Sequence, residues 1–312
     1  MRNVLVSVFL WILALAITLG LAGYQRRTGP SYPLRGEAAV DGVTVSYALP
    51  RSHGGDGGLE VRIDPAGAPV RSARIVWRRY PTEEPWRDIP MARAGDGSWH
   101  GTIPHQPPAG KVEYRIVLET PQGHAALPPG ESVVARFRGG VPPWILVPHI
   151  LCMFLGMLLA TRGLLEVLFR GRDRGRWMVL WATALLVLGG LVLGPLVQLH
   201  AFGALWTGWP FGGDLTDNKT LFAILCWLPA AVAAWRRRQH PLLLAAGWAV
   251  MMAVFLIPHS MRGSELDWSQ LPEASAPAAE PSGASAGGGG GPAARLPAER
   301  GSVRIAASEA GG

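Results

Sequence analysis

Five apolar runs constrain this chain more than any other feature. The first is NVLVSVFLWILALAITLGLAGY at 3–24, and four more lie at about 143–161, 177–199, 220–235 and 241–258. Roughly twenty apolar residues in helical form match the thickness of a bilayer core. The run at 220–235 is short for a span, but its flanks are apolar enough to extend it. Charged residues make up only 16% of the chain, against roughly a quarter in a soluble domain. The pattern predicts a multi-pass membrane protein.

The arginines predict which way it sits. Arg162, Arg170, Arg172, Arg174 and Arg176 fall between the second and third runs, and Arg236, Arg237 and Arg238 between the last two. The stretch 200–219 between the middle pair carries one Lys and two Asp. Basic loops stay in the cytoplasm, so the two arginine connections are predicted inside and 200–219 outside. A retained first helix then puts the N-terminus in the cytoplasm, and 31–140 and the C-terminus outside. Arg26 and Arg27 violate this rule, a violation that a long translocated segment tolerates. The first run reads as an anchor, although Gly20-Leu21-Ala22 also fits the cleavage site of a signal peptide. The net charge of +7 is an orientation signal rather than a nucleic-acid footprint, because the arginines sit beside apolar runs. Cys152 and Cys226 both lie inside apolar runs, which leaves no disulfide framework for the rest.

Between the first two runs the period changes from helical to two. VTVSYAL (43–49) and LEVRID (59–64) alternate apolar with polar residues, and ARIVWRRY, WRDIPMAR, SWHGTIP, KVEYRIVLE and SVVARFR continue the series. Alternation of this kind marks strands with one buried face. Asp41-Gly42, Asp96-Gly97, Gln122-Gly123 and HQPPAG supply turns between them. Short strands at this density predict an all-β sandwich.

The stretch DGSWHGTIPHQPPAGKVEYRIVLET resembles the second half of a fibronectin-III or immunoglobulin-like module of bacterial envelope proteins, with a turn, a Trp strand, a Pro-rich connection and a V-x-Y-x-I strand. That resemblance covers about 37–139 and implies fold, not activity. PFGGDLTDNK resembles uncharacterised bacterial multi-pass membrane proteins with an outer β-domain, and implies no activity either. The expected architecture is an anchor at 1–30, an extracytoplasmic Ig/FnIII-like β-sandwich at 31–140, a four-helix transmembrane bundle at 141–262 and a disordered tail at 263–312. The expected location is the bacterial inner membrane. The tail is rich in Ala, Pro, Gly and Ser, with five Gly at 287–291, and cannot bury enough apolar surface to offset chain entropy.

With this orientation, three bundle helices each bring a histidine to the outer boundary. His149 lies about six residues into its run, His200 closes the next and His259 closes the last. Asp214 and Asp217 precede the remaining helix, and Glu265 and Asp267 follow His259. Imidazole with carboxylate is a common ligand set for divalent metals, so His149, His200, His259, Asp214 and Asp217 form a candidate zinc site. Cys152, Met153 and Met157 would extend it toward copper. Two of the histidines would alternatively hold haem b axially between helices. The competing reading is structural: interfaces tolerate His and Trp, a histidine at a helix C-terminus complements the dipole, and Asp217, or Thr216, serves as an N-cap. Gly208, Pro210, Gly212 and Gly213 would let 200–219 fold back as a roof over the three histidines. A third reading is non-enzymatic, with the sandwich binding an envelope protein and the bundle an anchor in lipid. Gly287–Gly291 lacks the strand, helix and Lys of a phosphate loop. Ser260 lacks a G-x-S-x-G elbow, and Arg74, Arg78 and Arg79 read as a solvated sheet face.

The orientation is tested by fusing a reporter enzyme that works only outside the cytoplasm. Fusions after 140, within 200–219 and after 262 are expected to be active, and fusions at 172 and 237 silent. The opposite pattern overturns the assignment.

Overall fold

The computed structural model of the chain describes residues 2–171, 174–258 and 266–270. Helix α1 (Arg2–Thr28) is followed by strands β1 (Leu34–Val40), β2 (Val43–Leu49), β3 (Ser52–Gly54), β4 (Leu59–Ile63), β5 (Ser72–Tyr80) and β6 (Arg87–Pro90). Strands β7 (Ala92–Arg93), β8 (Trp99–Ile103), β9 (Lys111–Thr120), β10 (Gly123–Leu127) and β11 (Val133–Arg138) complete the β-region. Helices α2 (Pro143–Arg170), α3 (Arg176–Val187), α4 (Gly194–Phe202), α5 (Leu215–Trp235) and α6 (Pro241–Leu256) come next. The chain combines β-sheets with long apolar helices.

Alternation places the β core. In β4, Leu59, Val61 and Ile63 are buried while Glu60 and Arg62 are exposed. Besides the two-stranded β1-β2 pair, the larger sheet runs β3-β11-β9-β5-β6, with β10 also on β9, and the smaller runs β4-β8-β7. Both contribute to one core: Val61, Ile63, Trp99 and Ile103 from the smaller, Ile75, Trp77, Tyr114, Ile116 and Phe137 from the larger. The Tyr114 hydroxyl donates to the Pro50 carbonyl at 2.8 Å, and burial pushes its phenol above the ordinary range. Asp41 (φ 48°) and Gly42 (φ 82°) turn β1 into β2, with Val40 paired to Val43, the two-residue hairpin that Asp-Gly favours. Strands β1, β3 and β10 are additions to the sequence reading. Small residues occupy much of them: Gly36, Ala38 and Ala39 in β1, Gly54 in β3, and Gly123, Ala125 and Ala126 in β10.

Four helical segments are long and apolar enough to cross a membrane: 3–28, 143–170, 176–202 and 215–235. The short apolar helix is α6, with 16 residues, and not the 220–235 segment, whose helix recruits a polar first turn and reaches 21 residues. A second correction concerns the arginine connection. Helix α2 continues to Arg170, so Arg162 and Arg170 are helical. Arg162 is only 1% exposed. It pairs with Glu166, donates to the Ser7 hydroxyl at 3.1 Å and lies 5.3 Å from the Trp11 ring of α1. Helix α1 packs against α2 through Leu10, Ala14 and Leu165. Arg172, His259, Ser260, Glu265 and the tail beyond 270 lie outside the described residues. Within the predicted tail, Trp268 donates to the Tyr80 carbonyl at 3.0 Å.

Two indole–hydroxyl pairs stitch the bundle. Trp227 of α5 donates to Thr183 of α3, and Trp248 of α6 to Thr161 of α2, each at 2.9 Å. Each threonine hydroxyl in turn donates to the carbonyl one turn back, Val179 or Met157. Small residues let α2 approach α3: a methyl group at Gly156 would lie 2.9 Å from Leu186, and one at Gly163 3.1 Å from Val179. Interhelical hydrogen bonds within membranes contribute about 0.6 to 2 kcal/mol each. Thr161→Val and Thr183→Val are each expected to destabilise the detergent-solubilised protein by about 1 kcal/mol, read by unfolding in a denaturing detergent. No shift in either variant would show that the pairs are passive.

Candidate functional site

Helix α3 does not run into α4 as a regular α-helix. Residues Leu188–Leu193 form a π-helical segment. Pro195 lacks the N–H that would close an ordinary bond to Leu191, and the wider turn absorbs the mismatch. Within it the Gly189 carbonyl accepts from the Gly194 N–H and also from His149 Nδ1, at 2.9 Å. A carbonyl only accepts, so Nδ1 carries the proton and Nε2 is left as a base or ligand nitrogen.

The connection between α4 and α5 is fastened to the first turn of α5. Asp214 is the N-cap, accepting from the Thr216 and Asp217 amides at 2.7 and 3.4 Å. The sequence reading gave that role to Asp217 or Thr216. Asp217, buried, reaches back instead and accepts from the Thr207 amide at 2.7 Å and the Gly208 amide at 3.1 Å. Gln198 of α4 donates to the Thr207 hydroxyl at 2.6 Å, and Asn218 accepts from the Trp209 amide at 2.5 Å. Lys219 turns into the bundle and donates to the Ile257 carbonyl at 2.6 Å. Trp209 and Phe211, 69% and 80% exposed, project from the loop. The polar residues of this stretch fasten it to α5, and Trp206 donates its indole N–H to the Trp209 carbonyl at 3.1 Å.

A cavity of about 150 Å³ lies beneath Asp214, walled by His149, Gly190, Gln198, Asp214 and Asp217. Three predicted site residues therefore share one enclosure. His200 does not: it is exposed on α4 and is not part of this wall. Of the 200–219 stretch, Ala201, Phe202, Asp214, Thr216 and Asp217 stand on the cavity wall, and residues 203–213 do not. His259 lies outside the described residues. Among the described residues, no group of three or more His, Cys, Asp and Glu is placed to hold a metal ion. Asp217 Oδ2 accepts both loop amides.

A larger cleft of about 450 Å³ adjoins this cavity where the β-region meets the helices. Arg136, Val197, Ala201 and Phe202 line both. The junction is tight. The Gly139 amide donates to the Ala201 carbonyl at 2.8 Å, and a side chain at Gly139 would lie 2.3 Å from the His200 carbonyl, so glycine is required there. Arg51, Lys111, Arg136 and Arg138 stand on the β side of the cleft, with Leu146, Val197 and Phe202 on the helix side. Arg136 sits 5.4 Å over the Phe202 ring. Among the described residues no carboxylate lines the cleft. The sequence reading missed this basic wall, whose signal was the outward pair Arg136 and Arg138 flanking buried Phe137 in VVARFR. The sheet face it singled out is balanced instead: Arg74 pairs with Glu119 at 2.8 Å, and Arg78 pairs with Glu113 and stacks on Trp86.

Comparisons with known proteins add no family. No family model matches the chain, and no curated protein matches it. A solved structure described as "Crystal structure of Br derivative BhCBM56" is 12% identical, covering 35% of this chain and 95% of its own, with a TM-score of 0.23. A likeness that low carries no argument about fold or function.

Hydrogen bonds to a charged group contribute about 1.5–3 kcal/mol, so Asp217 is the main restraint on the loop. Asp217→Ala is expected to raise amide exchange at Thr207 and Gly208 by about tenfold or more, with exchange in α2 unchanged. Unaltered exchange at both amides would remove Asp217 from that role.

Proposed function

We propose that this chain is a bacterial inner-membrane protein whose extracytoplasmic Ig/FnIII-like sandwich and helix bundle together bind an anionic amphiphile in the cleft between them. This is a binding role without catalysis, in which the bundle is also one wall of the site. The observation that carries it is the division of the cleft: arginine and lysine on the β side, aliphatic and aromatic side chains on the helix side, and no carboxylate among the described residues. Its volume of about 450 Å³ falls within the range of ordinary small-molecule sites. The cations suit a phosphate, sulfate or carboxylate head, and the apolar wall, at the level where the helices emerge, suits a chain reaching out of a bilayer leaflet. An envelope protein acylated or acidic at its docking segment offers the same chemistry.

The test uses full-length protein in a neutral detergent with dodecyl phosphate and dodecyl maltoside as probes. Dodecyl phosphate is expected to bind in preference to the maltoside, and the triple variant R51Q/R136Q/R138Q to weaken it by about tenfold or more. Equal binding of the two probes, or an unaffected variant, overturns the reading.

A second reading keeps zinc or copper at His149 with Asp214 and Asp217. It is favoured by the bond from His149 Nδ1 to the Gly189 carbonyl, the support that metal-bound histidines usually have, and by the cavity the three share. His259 would complete the set. Haem b would likewise use His149 Nε2, with His259 rather than exposed His200 as its partner. Near-stoichiometric metal in the purified protein, lost in His149→Ala, is the result expected for a metal site, and a Soret band for haem. Absence of both removes this reading and leaves the amphiphile cleft standing.

A further inference from the structure

A second cavity, of about 670 Å³, opens at the opposite end of the bundle, where α2 passes to α3 and α5 to α6. Arg174, Arg176 and Arg237 stand on its wall, with Trp177, Gln239 and Glu166. We propose that this arginine-walled cavity holds the phosphate headgroup of an anionic phospholipid. The inference requires that the bundle lie in a bilayer and is independent of what fills the cleft at the other end.

Charge balance is the first support. Glu166 is the carboxylate on the wall among the described residues, and it is already engaged. Its Oε1 accepts from Arg170 at 2.8 Å and its Oε2 from Arg162. Two guanidinium groups answer one carboxylate on α2, so Glu166 does not neutralise the cavity. Among the described residues, Arg174, Arg176 and Arg237 then share a space of lipid-headgroup size, while Arg172 and Asp173 of the same connection lie outside the described residues.

The positions of the arginines are the second support. Arg176 is fixed by a bond from its Nε to the Ala234 carbonyl at 3.0 Å, and its guanidinium lies 4.5 Å over the Trp177 ring. That bond uses one of five N–H donors and bridges α3 to α5. Arg237 takes the left-handed conformation, φ 56°, that closes α5 through bonds from Arg237 N to Ala234 O and from Arg238 N to Ala233 O. Glycine usually takes that position. Here it carries an arginine on the cavity wall, while Arg236 and Arg238 on either side are not on the wall. Guanidinium forks match phosphate oxygens in pairs. Gly175 begins α3 with no side-chain cap, so amides of that first turn add donors to an arginine site already present. Trp177 is exposed beside it, as expected for an aromatic at a membrane boundary. Basic pockets between helices on the cytoplasmic side are where anionic headgroups bind.

The experiment is native mass spectrometry of the delipidated full-length protein, titrated separately with phosphatidylglycerol, phosphatidylcholine and inorganic phosphate. Wild type is expected to retain phosphatidylglycerol over phosphatidylcholine. R174Q/R176Q/R237Q is expected to lose about tenfold or more in that affinity, and R236Q/R238Q to match wild type. The cleft variant R51Q/R136Q/R138Q is expected to keep the far-end lipid, which separates the two sites. Thermal melting checks that each variant folds; should the triple fail, R237Q alone is expected to weaken binding about fivefold. The proposal is overturned if the triple binds as wild type, or if R236Q/R238Q loses as much as the triple. It is also overturned if inorganic phosphate saturates the arginines and phosphatidylglycerol does not displace it, which would make the ligand a soluble phosphate.

Discussion

Polar groups buried among apolar helices have no water to turn to, and each must be answered by another part of the protein. Much of the helical half of this structure follows from that requirement. Trp227 and Trp248 find threonine hydroxyls on α3 and α2. Helix α6 stops after 16 residues, and its last carbonyls are collected by other helices: Ile257 by Lys219 of α5, and Phe255 by Gln25 of α1. A helix end normally leaves four carbonyls without partners. The two captures make a short helix tolerable here and give α1 a place in the bundle, a place reinforced by Arg162 against Ser7 and Trp11.

The same requirement explains what the sequence disclosed and what it hid. Apolar runs and alternation report burial along one element, so the helices and eight of the eleven strands were legible. Residues whose role depends on a distant partner were not. Arg162 reads as a loop cation because an arginine at the end of an apolar run usually is one. Only the presence of Glu166 one turn on, and of α1 alongside, makes its burial affordable. Asp217 reads as an N-cap or a metal ligand. Which aspartate caps was decided by where α5 begins, and Asp214 sits one residue before that point. The π-helical segment was marked in LGGLVLGP by paired glycines and a proline, although an apolar run scores the same with or without it.

The histidines illustrate the limit of comparing residues by depth alone. His149 and His200 approach the same end of the bundle on different helices. Helical phase then separates them: His149 is turned toward the π-helical segment, and His200 is exposed. Depth was readable from run boundaries. Phase was not, because the irregular turn between α3 and α4 resets the faces of everything after Leu193.

The basic cleft has a simpler origin. Period two in β11 sends Ala135 and Phe137 into the β core and leaves Arg136 and Arg138 on the opposite face. Gly139 then brings that face against the end of α4. One strand's alternation thus supplies both the packing of the β-region and the charge of its neighbouring site. The adjoining cavity has the opposite character, with Asp214 and Asp217 on its wall, and Arg136 and Phe202 mark where the two meet. The proposed anionic head would be attracted by the cleft and repelled by the carboxylates of the cavity behind it. On the proposed reading, an amphiphile in the cleft would be oriented as well as held, its charge among Arg51, Lys111 and Arg138 and its chain along Leu146 and Val197.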